Sequence, residues 1–122
     1  MEHVVEYIHI HERGLIKMIA EKHGMSITQV RHRLMEDAVN TVHLVLREVF
    51  GDKWYSIKGL ERLELWIYAM KLVLPYYWAL VHKKQDFVDP DEVVSILPKT
   101  VAEKLRDMKH ILDKIVTVLE KV

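Results

Sequence analysis

The chain has no cysteine, and only four glycines, three prolines and three serines among its 122 residues. Each shortage closes off a chemistry. Without cysteine there are no disulfides, no thiolate zinc sites and no thiol nucleophile. The glycines stand alone, so no glycine-rich loop can cradle a phosphate. Ser26, Ser56 and Ser95 are the only serines, and none sits in a nucleophile elbow. Net charge is absent too, with 18 basic residues balancing 18 acidic ones. A binder that meets nucleic acid with its whole surface carries a basic excess. Eight histidines qualify that balance, because six lie within the first 43 residues and add positive charge below neutral pH. The opening MEHVVEYIHIHERG has acids before any apolar run, unlike a secretory signal, and a cytoplasmic location is expected.

What remains is an apolar half of the composition and 30% charged residues, a balance found in compact and often heat-tolerant proteins. This length suits one domain, residues 1–122, with a core that needs no covalent staple. No strand-like alternation bounded by turn signals occurs, so the fold class expected is all-α, a bundle of about five or six helices. Residues 1–50 read as an N-terminal helical hairpin and 60–122 as a central apolar helix followed by packing or dimerisation helices.

Several boundaries are written in local chemistry. Gly24 is placed to end a helix in the left-handed conformation. Ser26 with Gln29 has the form of a capping box and starts the next helix, with Asn40-Thr41 as a possible interruption. Leu65 to Val81 carries one charge, Lys71, and holds Pro75, which predicts a buried helix kinked or split there rather than a membrane span. Asp89-Pro90 predicts a short helix that stops at Pro98. Thr100 with Glu103 has the form of a second capping box. From there Val101, Leu105, Met108, Leu112, Ile115, Leu119 and Val122 step by 4, 3, 4, 3, 4, 3, an unbroken heptad seam.

Residues 16–35, IKMIAEKHGMSITQVRHRLM, place a short helix, a glycine turn and a second helix rich in Gln, Arg and His side by side. They resemble the helix-turn-helix of DNA-binding proteins. Ile19-Ala20 match its close helix crossing, Gly24 the turn, Met25 the apolar residue after it and Val30 the aliphatic position inside the second helix. His23, Ile27 and Arg33 depart from the pattern. The resemblance implies base contacts by Ser26, Thr28, Gln29 and His32, and phosphate contacts by Arg31, Arg33, Lys17 and Lys22. Double-stranded DNA would then be the partner. A plain antiparallel helical hairpin explains the same residues.

The sequence holds two further clusters. Glu6 with His9, and Asp107 with His110, share the i, i+3 spacing of helical di-iron ligands, but the only plausible further carboxylates in the central helix are Glu61 and Glu64, at its polar start. No metal, cofactor or enzymatic activity is expected. Trp54, Trp78, Leu105, Leu112 and Leu119 form a candidate interaction surface. Tyr77 and Trp78 are adjacent on one helix, which predicts that one of them faces outward. This surplus of apolar side chain predicts a homo-oligomer. Two functions follow: a small dimeric DNA-binding regulator or architectural factor, or a non-catalytic helical assembly protein, such as an adaptor or a structural protein of a mobile element or virus.

Overall fold

The computed structural model describes residues 13–121. Among these residues there are five α-helices, one 3-10 segment and no strand. Helix α1 spans Arg13–His23, α2 Ile27–Phe50, α3 Gly59–Lys84, α4 Pro90–Ile96 and α5 Lys99–Glu120, with the 3-10 segment at Gly51–Ser56. The all-α bundle expected from the sequence is the fold observed.

Helix α2 is the hub. It packs against α1, α3, α4, α5 and the 3-10 segment, and α3 packs in turn on α4 and α5. Its stripe Val30, Leu34, Ala38, Val42, Val45 and Leu46 is buried along the whole length. That is the consequence of apolar residues repeating at helical spacing next to partners on several sides. Thr41 is also buried, and its hydroxyl donates to the Asp37 carbonyl at 2.6 Å, so the expected interruption at Asn40-Thr41 does not occur.

The turn between α1 and α2 is as the sequence predicts. Gly24 has φ +62°, a conformation that side chains with a Cβ adopt at a cost. The Met25 N–H reaches back to the Ala20 carbonyl at 2.9 Å, the long bond of a Schellman motif. Ser26 Oγ accepts from the Gln29 N–H at 3.1 Å while Gln29 Oε1 accepts from the Ser26 N–H at 2.9 Å. Both halves of the capping box are formed.

Three expectations are corrected. Helix α3 is continuous from Gly59 to Lys84, so it is not split at Pro75. Pro75 and Lys71 are both exposed, so water can bond the Lys71 carbonyl that loses its N–H partner. Tyr77 and Trp78 are both buried, because α3 has neighbours on several sides; the Tyr77 hydroxyl donates to the Leu34 carbonyl at 3.0 Å and the two rings meet edge-on at 5.0 Å. Burial pushes the Tyr77 phenol far above its ordinary pKa, with Asp37 adding to the shift. Finally, α5 begins at Lys99 with Pro98 in the capping position and no side-chain cap bond. Thr100 therefore lies inside the first turn, and its capping box with Glu103 is not formed.

Candidate functional site

The hairpin end is held by an ionic knot. Asp86, in the loop after α3, accepts from His23 Nε2 at 2.6 Å and pairs with Lys22 Nζ at 3.0 Å. Its Oδ1 also accepts the Phe87 N–H at 2.7 Å. Partial burial pushes the Asp86 carboxyl up, but these bonds outweigh it and hold the pKa at about 2. The Arg33 guanidinium stacks 4.4 Å from the Phe87 ring, and its Nε lies 3.6 Å from Asp37 Oδ2. Burial nevertheless raises the Asp37 carboxyl above its ordinary value.

The residues expected to meet DNA are thus brought together on one end, with different degrees of freedom. Lys22 and Arg33 are paired with carboxylates, and Ser26 and Gln29 are engaged in the helix cap. Arg31 is half-buried, with its Nε buried and unpartnered among the described residues. Lys17, Thr28 and His32 are exposed. Asp86 was not singled out in the sequence, because nothing local to QDFVDP announces that it closes on α1, 63 residues earlier in the chain.

A second cluster gathers where α2, the 3-10 segment and α3 meet. Trp54 is 1% exposed, and the Arg62 guanidinium lies 4.1 Å from its ring centroid. Arg62 donates to the carbonyls of Trp54 at 2.7 Å and Ile57 at 3.2 Å. His43 sits 6.5 Å from the rings of Trp54, Tyr55 and Trp66. Burial, then the charges of Arg47 and Arg62, lower the His43 pKa and keep the ring neutral at pH 7. Here aromatic rings and basic groups serve packing. Arg62 is a structural clamp on backbone carbonyls.

The expected interaction surface splits in two. Trp54, Trp78 and Leu105 belong to the core, and Leu112 is half-buried against it. Leu119 stands in solvent at 68% exposure, with Val118 at 62%. Exposure rises along α5. Val101 and Leu105 are buried, Lys109 reaches Glu61 of α3 at 2.7 Å, and every residue from Asp113 to Lys121 is exposed. Lys109 also pairs with Asp113; burial alone would lower its pKa, but the two carboxylates raise it.

Asp107 and His110 are exposed on α5, while Glu6 and His9 lie outside the described residues. Among the described residues no group of three or more potential ligands could hold a metal ion. No described helix is long and apolar enough to cross a membrane. Comparison with protein-family models, with curated proteins and with solved structures finds no match. The fold defines the class, a small all-α helical bundle whose last helix carries exposed apolar side chains in its distal half.

Proposed function

We propose that the chain is a non-catalytic helical assembly protein that docks a protein surface through the distal half of α5. The observation that carries this reading is the apolar face of that half, where Ile111, Ile115, Val116, Val118 and Leu119 are exposed together. Isolated exposed apolar residues need no explanation, whereas a contiguous group on one helix marks an interaction site. The balanced charge supports the reading, since it offers no field to gather a polyanion.

Contact of the hairpin with double-stranded DNA is the second reading. Lys17, Thr28 and His32 favour it, because they remain exposed beside a turn of helix-turn-helix form. Against it stand the carboxylates already paired with Lys22 and Arg33. Fluorescence anisotropy of a labelled mixed-sequence duplex, at low and at physiological salt, separates the two. The assembly reading expects no binding at either salt. Binding that falls steeply with salt, and weakens further in Lys17→Ala, would move the function to the hairpin.

A further inference from the structure

The heptad seam of α5 changes partners midway. Up to Leu105 it is buried among the chain's own helices, Met108 and Leu112 are half-buried against the same core, and Lys109 pairs with Glu61 of α3. Beyond Leu112 the same stripe is exposed, as is every described residue from Asp113 to Lys121. With Leu105, Leu112 and Leu119 as the a positions, Met108 and Ile115 are d positions. Ile111 and Val118 then occupy g, and Val116 occupies e. In the distal half, all four positions that face a neighbouring helix are apolar.

We infer that a second copy of this chain covers this face, its α5 lying antiparallel so that Ile115 of one copy meets Leu119 of the other. This rests on the assembly reading above and names its partner. Three observations lead to it. First, the seam is self-complementary: an antiparallel pair alternates a against d, and Ile115–Leu119 contacts then occur twice about a two-fold axis level with Thr117. Secondly, the charged residues Asp113, Lys114, Glu120 and Lys121 fall at b and c, away from the seam, so no charge is buried and none opposes the pairing.

Thirdly, the area suffices. The distal face exposes on the order of 500 Å² of apolar side chain, at the upper end for a patch on a monomer. Two such faces bury on the order of 1,000 Å², the lower bound for a specific interface. Direction follows from sterics. A parallel copy would have to lay the first half of its α5 where α2 and α3 already pack on this one. An antiparallel copy approaches from the exposed distal half, away from the packed first half of the helix.

Sedimentation velocity of the full chain at concentrations from about 1 to 200 μM tests the pairing, with the expected mass twice the 14.5 kDa of one chain. The double variant Ile115→Glu, Leu119→Glu should be monomeric throughout, with an unchanged helical circular-dichroism spectrum and at least 100-fold weaker association. Because the chain has no cysteine, direction is read by two single variants, Ile115→Cys and Leu119→Cys. Disulfide-linked dimers should form when the two are mixed and not within either alone.

A wild-type chain that stays monomeric at the highest concentration would overturn the proposal, as would dimers that survive the double glutamate variant. Disulfides within Leu119→Cys alone would overturn the antiparallel arrangement. The duplex titration separates this failure from that of the assembly reading. A monomer that ignores DNA loses only the self-pairing, whereas a monomer that binds DNA in a salt-dependent way loses both.

Discussion

The two ends of this molecule handle their surfaces in opposite ways. At the hairpin end, Lys22 and His23 close on Asp86, Arg33 lies over Phe87 and beside Asp37, and Ser26 and Gln29 satisfy each other's backbone. At the far end of α5, a run of aliphatic side chains is exposed to solvent. Polar groups that pair internally stiffen a junction and leave little free for a partner. Apolar groups left uncovered cost free energy until something covers them. The hairpin's polar groups are largely paired and the terminal helix leaves apolar side chains exposed, even though the hairpin carries the more recognisable motif.

The sharpest way to break this comparison uses three leucines of one helix at one heptad position. Leu105 is fully buried, Leu112 half-buried and Leu119 largely exposed. Leu105→Ala should cost about 2–5 kcal/mol in urea unfolding, the usual penalty for a buried leucine. Leu119→Ala should change the stability of the dilute monomer by less than about 0.5 kcal/mol. Equal losses at both positions would mean that the distal half of α5 is packed within the chain, and the proposed docking face would disappear.

The ionic knot offers the next test. Because the native Asp86 carboxyl titrates at about 2, below its ordinary 3.8, the unfolded chain binds the extra proton between those values. Its stabilisation is therefore complete above about pH 4 and lost as pH falls towards 2. Partial exposure limits the contribution to about 1 kcal/mol. Asp86→Asn should remove that share of the acid-induced loss while costing a similar amount at neutral pH. An unchanged acid limb in the variant would show that the loop does not tie α1 to α3.

These outcomes also show what the sequence could and could not reveal. The Gly24 turn, the Ser26–Gln29 box and the Asp89-Pro90 helix start were legible because each is decided by residues within one turn of one another. The Asp89 carboxylate, for instance, accepts the Asp91 N–H at 3.0 Å. The heptad seam of α5 was legible as a stripe, but its division into a buried and an uncovered half was not. That division depends on where α3 ends in space. Trp78 is buried because α3 has partners on several sides while helical spacing gives a direction around one helix only, and Trp54 is buried because the 3-10 segment folds it against α2 and under Arg62. Asp86 was invisible because its partners are far away in sequence.

The smallest expected effect separates two identical-looking motifs. Ser26 with Gln29 and Thr100 with Glu103 have the same capping-box form in sequence. Only the first is made. Ser26 stands in the extended conformation that precedes a helix, with φ −75° and ψ 159°, so its hydroxyl faces the Gln29 N–H. In α5 that extended residue is Pro98, with φ −65° and ψ 151°, and its carbonyl accepts the Val101 N–H at 3.1 Å. Proline fixes φ where a helix start needs it, and so draws the boundary back ahead of Thr100. Ser26→Ala should therefore cost about 1 kcal/mol, and Thr100→Ala less than about 0.5 kcal/mol, both by urea unfolding. A larger loss at Thr100 would mean that α5 starts two residues later, at Val101, with Thr100 as its cap.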